Sequence, residues 1–456
     1  MTDLFAARAQ MGISLAFHIV FAVLGMGLPV LLLIAEGLWL RTRNPVYLSL
    51  AKRWAKAFAI LFAVGAVSGT ILSFELGLLW PEFMRYAGGI IGLPFSAEGF
   101  AFFIEAIFLG LYLYGWDRLS PRAHWLCTIP IAISGTMSAI FVISANAWMN
   151  SPAGFRIVDG QVVDVDPIAA MFNDAWFQQS LHMVIAAYIA TGFGVAGIYA
   201  WGMLRGKHDA YHRAGLIVAL SLGAVFAPLQ AVSGDLSARW VAESQPVKFA
   251  AIEGLFETEA GAPFTIGGWP DPETREMRYG IAVPKLLSLL AHRDPNAVVR
   301  GLDEWPRADQ PDPRVVHLAF QVMIGIGTVL IVLAIWSALW AWRNRGGREA
   351  APSRALLRAL IVATPLGFVA IEAGWTVTEV GRQPWIIYEV MRTSEAVTPV
   401  PGQFVALGGF VLVYLVLAVT CASLLIRLGR TPVTPNNEPD VPSRAVPHPV
   451  PSHATT

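Results

Sequence analysis

Charge is scarce in this sequence. Only 14% of its 456 residues are Asp, Glu, Lys or Arg, where soluble domains average about 25%. The 32 basic and 32 acidic residues cancel, so there is no basic excess of the kind that nucleic acid demands. Cysteine is nearly absent. Cys127 and Cys421 both sit in apolar runs, which excludes a disulfide framework and a paired-cysteine metal knuckle. No cleavable signal peptide is visible: the first apolar run is too long for a signal core, and no small-residue cleavage site follows it. No internal repeat stands out. What the chain has is apolar residues, 55% of the total, with a mean hydropathy of +0.56. That much apolar surface cannot all be buried in a soluble core. Soluble enzymes, collagens, coiled coils and disordered proteins are excluded, and a polytopic membrane protein remains.

A membrane helix needs about 20 mainly apolar residues. Such runs lie at approximately 13–40, 54–80, 95–115, 124–146, 178–204, 214–235, 314–342, 355–378 and 404–427. The expected fold is all-α, with about nine transmembrane helices. The odd-numbered loops carry the basic residues: Arg41, Arg43, Lys52 and Arg53; Arg118 and Arg122; Arg205, Lys207 and Arg213; Arg343, Arg345, Arg348 and Arg354. The fourth loop instead has Asp159, Asp164, Asp166 and Asp174 against Arg156. Positive residues favour the inside, so the N-terminus is expected outside and the C-terminus inside. The chain divides into 1–235 (helices one to six), an outer loop 236–313, 314–430 (helices seven to nine) and a tail 431–456. The loop has amphipathic stretches at 247–258 and 279–291, so partial order is expected there. The tail is rich in Pro, Ser and Thr and reads as disordered.

Ionisable side chains inside a bilayer are costly and are functional hypotheses by default. Here they are His18, Glu36, Glu75, Glu98, Glu105, His182, Asp235 and Glu372. For any single one, a hydrogen bond to a neighbouring helix is an equal explanation. Depth makes the set more informative. His18 lies about two turns into helix one and His182 about one turn into helix five. Met323 lies two to three turns into helix seven, and Glu372 about two turns from the outer end of helix eight. At about 1.5 Å per residue, all four fall in the outer third of the membrane, where they are candidate iron ligands. His/Met ligation is a heme pattern that raises the potential, although most Met residues in membrane helices only pack.

Glu98 and Glu105 are seven residues apart on helix three and share a face. Stacked carboxylates in a membrane suit a proton relay; bonding to adjacent helices is the plainer alternative. Gly381-Arg382-Gln383-Pro384-Trp385 follows helix eight. Arg382 suits an anionic ligand and Trp385 the interfacial belt. Lys248 and Glu253 lie in the outer loop, over the face where the candidate ligands cluster. A cation and a carboxylate there can bind the two oxygens of a quinol and take up its protons.

These residues together resemble subunit I of the cytochrome bd-type quinol oxidases. The resemblance spans nearly the whole chain. It includes Phe17-His18, Glu98-Gly99 through Phe102-Phe103-Ile104-Glu105, Gly115-Trp116-Asp117-Arg118-Leu119 and Ala145-Asn146-Ala147-Trp148-Met149. It continues through His182, Gly234-Asp235, Lys248-Phe249-Ala250-Ala251-Ile252-Glu253, Glu372-Ala373-Gly374-Trp375 and the Gly381 to Trp385 block. The resemblance implies an electrogenic quinol:oxygen oxidoreductase of a bacterial respiratory electron-transport chain, multi-pass in the cytoplasmic (inner) membrane. It would oxidise quinol at the outer face and reduce oxygen to water with protons from the cytoplasm. Three hemes are implied: a low-spin heme b held by His182 and Met323, a high-spin heme b, and a heme d or a further heme b in its place. His18 and Glu372 would serve the two high-spin irons. Lys248 and Glu253 match the quinol-interacting positions of the family's outer Q-loop. Glu98 and Glu105 match acids tied to proton delivery, and Arg382 would hold heme propionates. A second large subunit is implied as partner, and the family also knows a small single-helix subunit. No nucleic acid partner is expected; membrane lipid is.

Some features depart from the best-known members. Gln321 stands where they carry Arg, so the heme potential and quinol site are expected to differ. The helix-three glutamates are one residue closer, and the Q-loop is of the short type. Gln321 and the short loop point toward the cyanide-insensitive branch, which puts heme d in question. Two other classes compete. A proton-coupled transporter more often shows a repeat and broken midplane helices, whereas the polar residues here cluster toward one face. A heme protein that only passes electrons leaves His18 and Glu372 without a use.

Overall fold

A computed structural model describes residues 3–344 and 351–431. Arg345, Arg348 and the expected tail beyond residue 431 lie outside the described residues. The helices are α1 Asp3–Thr42, α2 Pro45–Leu79, α3 Pro81–Tyr114, α4 Pro121–Leu126, α5 Thr128–Asn150, α6 Pro167–Met171, α7 Trp176–Leu204 and α8 Ala210–Ser244. They continue with α9 Pro246–Glu253, α10 Leu286–His292, α11 Pro313–Arg343, α12 Arg354–Ala363, α13 Leu366–Val380, α14 Thr393–Ala396 and α15 Gln403–Arg430. Among the described residues, nine helical spans are long and apolar enough to cross a membrane, with α4–α5 and α12–α13 each counting as one. These match the nine apolar runs. The two breaks have proline at their joints: Pro130 lacks the N–H that would tie α5 back to α4, and Pro365 separates α12 from α13.

The helices outrun the apolar stretches. α1 starts at Asp3 and α8 continues to Ser244, inside what reads as loop from the sequence. Their polar ends extend the helices past the apolar cores. His18 therefore lies about four turns into α1, while His182, Met323 and Glu372 lie about two, three and two turns from the nearer ends of their helices.

Helix α7 is the centre of the bundle. Its most apolar window is 61% buried, against 11% for α15 at the rim. Small residues allow this. A Cβ on Gly192 would stand 2.6 Å from the Gly223 Cα of α8, and one on Gly27 of α1 would strike the Thr191 side chain. Close backbone approach of this kind is how membrane helices gain packing without a hydrophobic drive between them. At the end where α2 begins, Arg53 caps the last turn of α15 by donating to the carbonyls of Leu428 and Thr431. Cations there suit a helix C-terminus.

The segment after α9 is not helical in the main. Three two-stranded ribbons nest inside one another: β3 (Glu259–Ala260) with β8 (Val298–Val299), β4 (Phe264–Ile266) with β7 (Ile281–Val283), and β5 (Trp269–Asp271) with β6 (Glu276–Arg278). Two more ribbons stand elsewhere: β1 (Arg156–Val158) with β2 (Gln161–Val163), and β9 (Trp385–Ile387) with β10 (Met391–Arg392). The first amphipathic stretch becomes α9, and the second becomes β7 and α10.

Candidate heme and quinol sites

His18 and His182 are held alike. His18 Nδ1 lies 2.9 Å from Ser68 Oγ of α2, and that hydroxyl donates to Gly65 O at 3.1 Å. His182 Nδ1 lies 3.0 Å from Ser233 Oγ of α8, and that hydroxyl donates to Gln230 O at 3.1 Å. A serine whose hydrogen is committed to a carbonyl can only accept from the ring. Nδ1 therefore carries the proton, and Nε2 keeps its lone pair for a metal. At His182 the amide of Gln230 donates to that lone pair at 3.0 Å. Each serine is followed by a glycine against the ring. A Cβ on Gly69 would meet His18 Cε1 at 3.0 Å, and one on Gly234 would meet His182 Cε1 at 3.6 Å. The two serines escaped the sequence reading, and so did a signal for them: Ala-Val-Ser-Gly occurs at 66–69 and again at 231–234.

Met323 lies on α11 with its sulfur against Gly374 of α13, 2.9 Å from where a Cβ would be. Glu372, two residues earlier on α13, has a buried Oε1 without a partner. Glu379, on the same face of α13, was not singled out from sequence. Its carboxylate accepts from Asn146 Nδ2 and from Arg382 Nη2, each at 2.5 Å. Arg382 is 2% exposed, and its Nη1 has no partner. Trp385 lies under the guanidinium of Arg392, 4.7 Å from the ring centroid, and its carbonyl accepts from Arg382 Nε at 3.4 Å.

These residues fit heme. Among the described residues, no three His, Cys, Asp or Glu side chains converge on one point to hold a metal. An iron whose equatorial ligands come from a porphyrin needs only single axial donors from the protein. His18 and His182, each with Nε2 unprotonated, and the thioether of Met323 are such donors. The unpaired Arg382 Nη1 suits a propionate.

Both helix-three glutamates face α5. Ser138 Oγ donates to Glu98 Oε1 at 3.4 Å. Glu105 Oε1 is buried and unpaired. It approaches Gly135 of α5, as does Gly25 O of α1, which lost its helical donor to Pro29. Two other acids in the sequence list have ordinary roles. Asp235 is clamped by Arg239 at 2.8 Å and Arg293 at 2.7 Å. Glu36 bonds His124 Nδ1 at 2.7 Å and the Tyr112 hydroxyl at 2.8 Å.

Lys248 and Glu253 are both buried on α9, at 3% and 5% exposure. Lys248 Nζ donates to Asn150 Oδ1 at 2.6 Å and packs against Gly381. Burial pulls its ammonium well below the ordinary lysine range; nearby Arg382 adds to this and Glu379 opposes it. Glu253 Oε2 is unpaired, and burial pushes its carboxyl up to about 8. α11 anchors this segment. His317 lies between the carbonyls of Ile252 and Gly267, at 2.8 and 2.9 Å. Gln321 donates to Thr265 O at 2.8 Å and accepts from Gly267 N at 3.0 Å. Gln321 therefore clamps loop backbone, a role the expectation about heme potential did not include.

Among the described residues, nine membrane-length spans carry single candidate axial donors, and a buried lysine and a buried carboxyl group lie on α9 at one end; this is the class of a polytopic membrane protein with room for heme chemistry. The cytochrome bd terminal oxidase subunit I family model matches residues 6–432, and the chain belongs to that family. It is similar to the bd oxidase structure from Geobacillus thermodenitrificans, with a TM-score of 0.88 and 40% identity over 94% of this chain and 98% of that one. A Bacillus subtilis (strain 168) protein, provisionally named as a cytochrome bd menaquinol oxidase subunit I, is 39% identical over 430 residues, 93% of this chain and 96% of that one. The cytochrome bd ubiquinol oxidase subunit 1 of the same strain is 32% identical over 457 residues, 97% of each chain.

Proposed function

We propose that this chain is the heme-bearing subunit of a two-subunit terminal oxidase that couples quinol oxidation to reduction of oxygen to water. Two quinols supply four electrons to one oxygen and release their four protons on the outer side; four protons taken from the inner side complete two waters. The observation that carries the quinol reading is the buried pair on α9, with Glu253 Oε2 unpaired at the bundle end where α8 finishes. Lys248 orients one quinol oxygen. Glu253, as carboxylate, accepts a proton from the other. The chain's N-terminus and this loop lie outside, so quinol protons leave there, and Glu105 and Glu98 pass protons drawn from the inner side. That arrangement separates charge without a pump and suits the bacterial inner membrane.

His182 and Met323 would hold a low-spin heme b, His18 one high-spin heme, and Arg382 a propionate. When bound, the hemes supply one-electron transfer and an open iron position for oxygen. Heme b and heme d both suit the second high-spin position. Glu372 of α13, whose Oε1 is unpaired, would hold the heme there, with Glu379 on the same face of the helix as the competing carboxylate.

The test is the pH dependence of quinol oxidation in the purified complex. A carboxyl with its midpoint at about 8 is mostly protonated at neutral pH and unable to take a proton. The rate should rise as pH passes through about 8 and level off above it. Glu253→Gln should slow quinol oxidation and abolish the inflection with every heme retained. The same inflection in Glu253→Gln would remove the site from this loop. Iron content separates this reading from a transporter, and oxygen uptake separates it from a pure electron carrier.

A further inference from the structure

Glu36 and Glu75 are both fully buried acids of the helical bundle, but their surroundings differ. Both oxygens of Glu36 have donors, so it reads as an internal brace. Glu75 has one: Gln10 Nε2 donates to its Oε1 at 2.9 Å. Its Oε2 has none, and neither Gln10 Oε1, Ser14 Oγ nor the Tyr414 hydroxyl has a partner. All four residues are at most 4% exposed. They come from α1, α2 and α15, and the Ser14 side chain lies close enough to both Glu75 and Tyr414 to interact with each. Buried polar atoms in native proteins are nearly always paired, and an exception calls for an ordered water. A water needs two to four polar partners, and this cluster supplies four oxygens.

The cluster stacks on the His18 pair. Ser14 is one turn before His18 on α1. Glu75 is seven residues after Ser68 on α2, so both face the same way. Phe17 covers Tyr414 with ring centroids 4.7 Å apart. The α7–α8 hairpin has no counterpart: Trp240 stands where Glu75 would be and Gln178 where Ser14 would be. An acid with open bonding capacity is thus built beside one histidine and not the other.

We propose that Gln10, Ser14, Glu75 and Tyr414 enclose a hydrated proton site, in which Glu75 takes up a proton when the redox centre at His18 gains an electron. The electron comes from quinol through the oxidase reaction. The proton comes from water at the near end of the bundle, converts the Glu75 carboxylate to the acid, and is released when the electron passes on to oxygen. An added negative charge in a low-dielectric interior favours the protonated form of a nearby carboxyl. Tyr414 is the titratable neighbour facing Glu75; Gln10 and Ser14 are neutral.

The inference rests on His18 as an axial ligand, and the experiment separates the two. In the purified complex, infrared redox-difference spectra and the pH dependence of the heme potentials are measured for wild type, Glu75→Gln and His18→Ala. His18→Ala should lose one high-spin feature; retention of every heme feature would overturn the ligand reading on which the inference rests. With that loss seen, reduction of the wild type should raise a protonated-carboxyl C=O band that shifts in D2O. Glu75→Gln should remove that band and flatten the pH dependence of the high-spin potential alone. An unchanged band and slope in Glu75→Gln would overturn the proton site itself. Should Glu75→Gln fail to assemble, Ser14→Ala and Tyr414→Phe keep the carboxyl; each should move the band, and a band unmoved in both overturns the hydrated site.

Discussion

In the α1–α2 hairpin, His18 Nδ1–H donates a hydrogen bond to a serine on the next helix, and a glycine follows that serine. The α7–α8 hairpin repeats this with His182, Ser233 and Gly234. The differences lie around the common core. Three residues before the serine stands Gly65 in the first hairpin and Gln230 in the second, whose amide occupies His182 Nε2. The second hairpin is also the tighter, with Gly192 against Gly223. One mode of presenting an imidazole lone pair thus serves two positions. On the proposed reading, what the neighbouring helices add decides the rest: the Met323 thioether of α11 would serve the heme at His182, and the Glu75 cluster would serve the one at His18.

The largest effects should come from removing the donors. His182→Ala and Met323→Leu are each expected to abolish the low-spin heme b spectrum and quinol-driven oxygen uptake. His18→Ala should spare the low-spin bands and remove a high-spin feature. Low-spin absorbance intact in both His182→Ala and Met323→Leu would end that assignment. Loss of all hemes in His18→Ala would show that the two hairpins do not load independently.

On α13 the contest is between two carboxylates. Glu372 has an unpaired oxygen, whereas Glu379 is engaged by Asn146 and Arg382. Glu372→Gln and Glu379→Gln should differ in kind. The variant of the axial ligand loses a high-spin feature, and the other keeps all features with a shifted potential. Identical spectra for both would deny α13 an iron ligand.

The spans, the candidate axial donors and the lysine and glutamate of α9 stand out in the sequence because each contrasts with its surroundings: apolar runs against basic loops, or single ionisable residues within or beside those runs. Ser68 and Ser233 were not, since a serine in a helix carries no mark until the hairpin sets it against a histidine. The short Ala-Val-Ser-Gly repeat was the available clue. Glu379 was not singled out, because its partner Asn146 is distant in sequence and its partner Arg382 belongs to what reads as an interfacial turn. Gln321 showed only what it lacks relative to arginine; its bonds go to loop backbone, which leaves no trace in side-chain pattern. Helix ends were misjudged at Asp3 and Ser244 because polar turns continue a helix beyond its apolar core.

A smaller effect is expected from the serines. Ser68→Ala and Ser233→Ala each remove the acceptor that fixes the Nδ1–H tautomer. Losing such a partner typically costs about 10- to 100-fold in metal affinity or activity. Heme retention during dialysis against apomyoglobin should fall in both, each at its own heme. Equal loss of both hemes from either variant would mean that the serines act on the fold and not on the ring.

The finest distinction concerns the glycines. A methyl group at position 69 would stand 3.0 Å from His18 Cε1, closer than carbon atoms pack, while at position 234 the gap to His182 Cε1 is 3.6 Å, ordinary contact. Gly69→Ala must therefore displace the His18 ring by a few tenths of an ångström (about 0.5 Å to reach optimal carbon separation). Gly234→Ala need not move its ring. Gly69→Ala should shift the high-spin absorbance and slow oxygen uptake about two- to tenfold, the effect of a ring about half an ångström out of place being well below the hundredfold of a full ångström. Gly234→Ala should leave the low-spin bands where they are. A low-spin shift in Gly234→Ala equal to the high-spin shift in Gly69→Ala would mean the two cradles are equally tight, and that the difference between the hairpins lies only in what the other helices bring to them.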